Sequence, residues 1–379
     1  MNFSIDREVL LENLNIISRG LPAKSPMPIL TGIKMEVTST DLYMTSSNTD
    51  ISVETFISDS SLQITKPGKT VVPGRFFIDI IRKINSKQVS LCLVEDKILV
   101  IKADRGEYKL HIMDPLDYPN IDFVSLENPL ELPAERVKTL IKQTSFATAQ
   151  SEKKPILTGV HFTLNEGKLT VTSTDSFRLA QVVLDVPEYR PFQITIPNKS
   201  LDELSKAIDS FNENLTLYFA VNKLLVKFKN VLFQTRLLDG NYPDTSRIIP
   251  TSFPIVLKFD KDELLDAVER VSLLSPREKM SASELSYSII KLTVTQERNV
   301  VISTTNASIG DAQEELIPLD TKMNAPLTIG FSSRYLVEAL RSFDSNEISL
   351  NCSEGIRPFV ITGEKDANLT QLILPVRMD

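Results

Sequence analysis

The sequence predicts an α+β fold of three similar units, each with two helices packed on antiparallel sheet. Three observations predict it. Pro28-Ile-Leu-Thr-Gly32 returns as Pro155-Ile-Leu-Thr-Gly159, each time after a helix-like segment and before an alternating run; such self-similarity marks a repeat architecture. A chain of 379 residues is too long for one ordinary core. Helical segments do not alternate with single strands, which argues against a doubly wound parallel sheet.

The first unit opens on the extended Phe3-Ser-Ile5, with Asp6 placed to cap a helix whose inward residues are Val9, Leu10, Leu14 and Ile17. Period-two runs predict strands at about 29–37, 41–46 and 51–57. Pro73-Gly74 starts a second helix with an apolar stripe of Phe76, Phe77, Ile80, Ile81 and Ile84. Strands are predicted at Val89–Val94, Ile98–Ala103 and Glu107–Ile112, and the unit closes on Asp117-Tyr-Pro-Asn120. The second unit repeats this order. A helix from about Pro133 is followed by strands through the second Pro-Ile-Leu-Thr-Gly copy and through Thr172–Ala180. A helix from Pro197-Asn198 and strands at 215–220, 223–229 and 232–237 lead to Gly240-Asn-Tyr-Pro-Asp244. In the third, Asp260 caps a helix and strands run at 287–294, 299–304 and 307–316. Phe331-Ser332 opens the last helix, and strands at 347–352, 356–363 and 368–374 finish the chain. Domains are expected at 1–127, 128–251 and 252–379, each about 125 residues, a usual single-domain length.

Composition narrows the class. Apolar content of 42% and charged content of 24% are ordinary for a globular protein, and no apolar run approaches a membrane span. The N-terminus shows no signal-peptide pattern, and Cys92 and Cys352 alone make no disulfide framework, so a cytoplasmic location is expected. Net charge is −7, which by itself speaks against a polyanion partner. Clustering of the basic residues matters more than their sum.

The second helix of each unit carries two basic residues seven apart: Arg75/Arg82, Lys199/Lys206 and Arg334/Arg341. Two helical turns put each pair on one face. One such pair is ordinary surface chemistry. Its recurrence in three units of an acidic chain points to a basic track for a regular polyanion read by its backbone. The first helices add Arg7, Arg136, Lys138, Lys142 and Arg270, and short loops add Lys24, Lys153 and Lys154. No GxSxG, HExxH, Walker A or GxGxxG motif is present. His111 and His161 lie in alternating strands, which suits a partly buried structural role. Asp50 and Asp175 stand at matching places after a Thr, where strand-end hydrogen bonding explains them better than acid–base chemistry. A hydrolase or transferase using Asp175 and a histidine is the rival reading; a scaffold that binds partners but never encloses a polyanion is a third. No catalytic residue, metal site or cofactor is assigned.

Taken together the motifs resemble one family over the whole chain. The carriers are the two Pro-Ile-Leu-Thr-Gly copies, Thr174-Asp-Ser-Phe-Arg-Leu-Ala180, Gly240-Asn-Tyr-Pro-Asp244 with Arg247-Ile-Ile-Pro250, and Leu374-Pro-Val-Arg377. In this order they resemble the bacterial DNA polymerase III β-subunit family, the sliding clamps. The resemblance implies the DNA clamp fold in a head-to-tail homodimeric ring, with helices lining a hole for double-stranded DNA held without sequence preference. It also implies a non-catalytic role, tethering the replicative polymerase for processivity. A groove between the second and third domains would receive linear motifs of the polymerase, the clamp loader and repair proteins. The matching groove positions are Leu157, Thr174, Arg178, Leu179, Pro243, Arg247, Ile248, Met280, Ser332, Tyr335, Leu374, Pro375, Val376 and Arg377. Tyr108 and Leu110 would meet Leu273 and Leu274 of a second copy. The implied DNA-facing set is Lys24, Arg75, Arg82, Lys138, Lys142, Lys153, Lys154, Lys199, Lys206, Arg334 and Arg341. The chain departs from the family pattern at Phe177, where His is frequent, at Lys24, where Arg is frequent, around Gly355–Gly363, and in the extra Met378-Asp379.

Overall fold

The computed structural model describes residues 1–123, 129–151, 153–187, 189–275, 277–279, 286–353 and 357–376. Among the described residues six α-helices punctuate the chain: α1 (Arg7–Ile17), α2 (Gly74–Lys83), α3 (Ala134–Thr144), α4 (Asn198–Ala207), α5 (Lys261–Ser272) and α6 (Ser333–Ser342). Asp6 caps α1 by accepting from the Glu8 amide, and Asp260 caps α5 by accepting from the Asp262 and Glu263 amides. Both satisfy donors that a helix N-terminus otherwise leaves unpaired. None of the described helices is long and apolar enough to cross a membrane.

Residue contacts divide the chain into two compact units: Met1–Lys138 with Lys199–Leu237, and Thr139–Asn198 with Leu238–Asp379. In the first, a five-stranded sheet runs Gln63–Lys66, Asn2–Asp6, Gln88–Val94, Ile98–Ala103, Gly106–His111. An eight-stranded sheet runs Leu130–Pro133, Asn214–Phe219, Lys223–Phe228, Val231–Arg236, Ile51–Ile57, Leu42–Ser47, Gly32–Val37, Gly68–Pro73. The second unit holds a nine-stranded sheet: Phe192–Pro197, Gly159–Asn165, Lys168–Thr174, Arg178–Asp185, Leu369–Ile373, Phe359–Gly363, Glu347–Cys352, Ile255–Asp260, Asp320–Lys322. Its other sheet joins Arg277–Lys279, Ser286–Val294, Val300–Asn306 and Gly310–Leu316, with Leu327–Ser332 also on Ser286–Val294. All these pairings are antiparallel.

The middle repeat is shared between the units because its sheet strands pair in two places. Val231–Arg236 lies on Ile51–Ile57 of the first repeat, in register Phe233 to Val53. Arg178–Asp185 lies on Leu369–Ile373 of the third, in register Ala180 to Gln371. One hydrogen bond recurs at both junctions: Arg236 N donates to Asp50 O, and Leu374 N to Phe177 O, each at 2.9 Å.

The duplication reaches down to single hydrogen bonds, at an offset of 127 residues (28 to 155, 46 to 173). Thr31 and Thr158 hydroxyls donate to Pro28 O and Pro155 O, both at 2.7 Å. Ser46 Oγ donates to Ile17 O, and Ser173 Oγ to Thr144 O. Three expectations are corrected by this register. Pro28–Thr31 and Pro155–Thr158 are single 3-10 turns, and the strands begin only at Gly32 and Gly159. Pro at the first position fixes φ for a turn and removes a donor that a strand would need. Glycine follows because a Cβ on Gly159 would lie 2.6 Å from the Ile196 carbonyl oxygen.

Thr172–Ala180, expected as one strand, is instead split by a turn at 175–177. Asp175 Oδ1 accepts from the Phe177 and Arg178 amides, and Asn48 Oδ1 likewise from Asp50 and Ile51. Asp175 therefore corresponds to Asn48, and Asp50 to Phe177. The third correction concerns α2: its buried face is Gly74, Phe77, Ile78 and Ile81, and Phe76 is 67% exposed, a turn of 100° away from that stripe. His161 is half-buried as expected, stacked on Tyr242 with ring centroids 4.5 Å apart, but His111 is exposed.

Candidate functional site

The second unit holds a groove of about 530 Å³. Its apolar floor comes from Leu157 in the turn before Gly159, Leu179 at the start of its strand, and Leu372, all almost fully buried. Thr174, Ser176 and Arg178 bring polar groups from the turn between strands, while Pro243, Thr245 and Ile248 form a wall. Ile248, 44% exposed, sits at the rim. Ser176 takes φ +81, a left-handed value that non-glycine residues avoid, held by its own amide donating to Thr174 Oγ1.

Arg178 fixes the groove's polar end. It is 4% exposed, and its guanidinium donates to Asp175 Oδ2 at 3.0 Å, to Glu338 Oε2 on α6 and to the Phe146 carbonyl. The rings of Phe146 and Tyr335 lie 5.3 and 4.5 Å from it. A buried charge demands this degree of satisfaction. Burial pushes the Asp175 carboxyl above the usual carboxylate range, opposed by Arg178 and by two backbone amides. A carboxylate committed to a salt bridge and a turn is not free to move protons, which removes the support for a hydrolase built on Asp175. His161 is likewise committed, 2.9 Å from Thr195 Oγ1, with burial lowering its pKa. Among the described residues no group of three His, Cys, Asp or Glu could hold a metal ion.

Of the groove residues expected from sequence, Leu157, Thr174, Arg178, Leu179, Pro243, Ile248 and Leu374 line this cavity. Ser332 and Tyr335 are buried and do not line it; Tyr335 supports Arg178. Arg247 is exposed outside the cavity; Pro375 and Val376 continue past it, Val376 N donating to Gly330 O at 2.7 Å. Met280 and Arg377 lie outside the described residues. Sequence reading missed Ile156, Ser176, Asn241, Thr245 and Leu372, and assigned Lys154 elsewhere although it too lines the groove. Leu372 was legible: it is two residues before Leu374 in a strand, hence on the same face.

The basic residues fall into two groups. Arg75, Arg82, Lys199, Lys206 and Arg341 are exposed, and Arg334 is half-exposed, on faces of α2, α4 and α6 turned away from their buried stripes. Lys24, Lys142 and Lys153 are also exposed, Lys142 paired with Asp344 at 2.7 Å. Lys138 stands apart. Its ammonium, 17% exposed, donates to Asp209 O just past α4 and to Glu135. The same support recurs where Arg7 donates to Ile81 O and Arg82 O at the end of α2, and Lys261 to Phe343 O after α6. Cations at helix C-termini complete carbonyls that the helix leaves open, so Lys138 has a structural role.

With this geometry in place, comparison with known proteins decides the family. Sequence models of the DNA polymerase III beta subunit match end to end: the N-terminal domain at 1–122, the central domain at 131–244 and the C-terminal domain at 246–377. The chain belongs to this β-subunit family. It is 36% identical to the beta sliding clamp of Staphylococcus aureus over 385 residues, covering 100% of this chain and 99% of that protein. The crystal structures of the DNA polymerase sliding clamp from Bacillus subtilis and of the beta subunit from Streptococcus pyogenes each superpose with a TM-score of 0.93 at 33% identity, covering both chains fully. The β-subunit fold thus accounts for the triplicated helix pairs and antiparallel sheets.

Replacing Arg178 with Ala leaves the Asp175 and Glu338 carboxylates without their shared cation. The expected result is a loss of about 3–5 kcal/mol of stability, read as a lower urea midpoint; an unchanged midpoint would show the network to be dispensable.

Proposed function

We propose that two copies of this chain close head to tail into a ring around duplex DNA and tether the replicative polymerase. As a β-subunit family member the chain is a DNA sliding clamp, a non-catalytic processivity factor. The ring reading rests on one observation, the pairing pattern of the sheet strands. Ile51–Ile57 is covered by the last strand of the second repeat, and Arg178–Asp185 by the last strand of the third. The corresponding halves of a third junction remain at sheet edges: Gly310–Leu316 in the third repeat and Gly106–His111, the last strand of the first. Unpaired edges invite pairing, and these two are complementary halves of the same joint. A head-to-tail contact of this kind closes into a ring when its rotation allows.

Charge favours the same joint. The hairpin ending in Gly106–His111 carries exposed Lys102, Arg105 and Lys109 against exposed Asp104 and Glu107, three positive and two negative, with Glu107 bridging Lys102 and Lys109; Gly310–Leu316 carries Asp311, Glu314 and Glu315 and no cation, with Glu314 paired to Arg270. Tyr108, 40% exposed, and the half-buried Leu110 lie on the first edge; Leu273, 80% exposed, and Leu274 follow α5. These are the residues proposed to meet across the interface, within domains proposed at 1–127, 128–251 and 252–379.

Double-stranded DNA is proposed to meet Arg75, Arg82, Lys199, Lys206, Arg334 and Arg341, with Lys24, Lys142 and Lys153 at the margins. Contacts to phosphate carry no sequence information and permit sliding. The groove over Leu157, Leu179 and Leu372 is proposed to take apolar side chains of linear motifs from the polymerase, the clamp loader and repair proteins, with Thr174 and Arg178 orienting the peptide. The setting is the cytoplasm, where the chromosome is copied.

Arg82→Glu with Lys206→Glu should weaken duplex binding by at least about tenfold near 0.1 M salt while sedimentation still reports a dimer; unchanged binding would remove these helices from the DNA interface. Deleting Leu374–Asp379 should abolish titration by a clamp-binding peptide, and an unaltered isotherm would remove the groove.

A further inference from the structure

The three cation pairs share a feature that a search for basic residues passes over. Between the two cations of each helix stands a carboxylate, four residues after the first and three before the second: Arg75–Asp79–Arg82, Lys199–Glu203–Lys206 and Arg334–Glu338–Arg341. Spacings of four and seven put all three groups on one face. The residues between have diverged, from Phe76-Phe77-Ile78 to Ser200-Leu201-Asp202 to Tyr335-Leu336-Val337, yet the order of signs is kept. The carboxylates are engaged: Asp79 with Arg82 at 3.1 Å, Glu203 with Lys206 at 2.7 Å, and Glu338 with Arg334 at 2.8 Å. Arg19 also approaches Glu203, at 3.5 Å.

Stability does not explain the arrangement on α2 and α4. Asp79 and Arg82 are both about half exposed, and Lys206 is 53% exposed against a Glu203 that is 28% exposed; such largely exposed pairs within one helix contribute little to folding. For grip on a polyanion the carboxylates are a handicap. A phosphate that reaches either cation comes within the screening length, about 8 Å at physiological salt, of an opposing negative charge.

We propose that Asp79 and Glu203 are positioning residues that act as internal counterions of Arg82 and Lys206. Resting on the clamp reading above, they keep the hold on DNA weak and mobile. A cation leaving one phosphate passes to its own carboxylate before it takes the next, so DNA shifts along the helix face without stripping the cation bare. Each phosphate contact then exchanges one partner for another, with less counterion release than a free cation would give. Glu338 follows the same pattern on α6 but is shared with Arg178, so the test leaves it in place.

The experiment uses the full-length dimer carrying Asp79→Asn and Glu203→Gln. Binding of a fluorescent duplex is followed over a salt series, and diffusion of the loaded protein is tracked on stretched DNA. Freed cations should raise affinity several-fold and steepen the slope of log K against log salt by about one to two. Diffusion along DNA should slow several-fold. Glu95→Gln with Glu166→Gln, at exposed strand turns, makes the same change in net charge and should leave both readouts unmoved. An unchanged slope in the first variant, or an equal shift in the second, overturns the proposal. Asp79→Asn alone, at an exposed helix position, serves if the double variant melts early. Failure of the clamp reading is separable: there Arg82→Glu with Lys206→Glu would leave binding intact, whereas here that variant still weakens it.

Discussion

The constraint on which this architecture depends is that the edge strand of a sheet must be paired or protected. Each repeat leaves its sheets ending on two different strands, and the chain resolves the problem by lending the last strand of one repeat to the preceding one. Val231–Arg236 covers Ile51–Ile57, and Leu369–Ile373 covers Arg178–Asp185. A linear chain of three repeats makes two such joints and leaves two halves over. Gly106–His111 and Gly310–Leu316 are those halves, and the proposed partner for each is the other half on a second copy of the chain. A ring closed in this way would need only weak contact with what it encloses.

The groove grows from one of those joints. At the first joint the position after the turn is Ile51, 3% exposed and packed as core; at the second it is Arg178. Exchanging an isoleucine for a guanidinium brings in Asp175, Glu338, Phe146 and Tyr335 as its supports. It also leaves an open apolar floor beside a rigid polar group. Duplication supplied the frame, and the position that is core at one joint is, with its partners, the polar end of the groove proposed to bind peptide at the other.

Much of this was legible in the sequence. Helix starts at Asp6 and Asp260 and the three helix pairs needed only capping chemistry and period, whereas the seven residues found in the groove came from the family resemblance. The failures share a cause: the sequence shows spacing but not partners. Pro28–Thr31 reads as strand by apolar content, and only the Thr31 hydroxyl on Pro28 O reveals a turn. Asp50 and Asp175 look matched because each stands after a Thr, whereas the amides served by Asn48 and Asp175 put those two in correspondence. Lys138 reads as a surface cation until its ammonium is found on the Asp209 carbonyl. Asp79, Glu203 and Glu338 were in plain view at fixed spacing, and were missed because only one sign of charge was being sought.

A topological link to DNA is tested by retention on nicked circular DNA. The protein is loaded by its clamp loader, challenged with high salt, and followed before and after the circle is cut. Retention on the intact circle with loss through the free ends on cutting is the result this account predicts. Equal retention on circular and linear DNA, or none on either, would mean surface binding or no enclosure at all, and would contradict it.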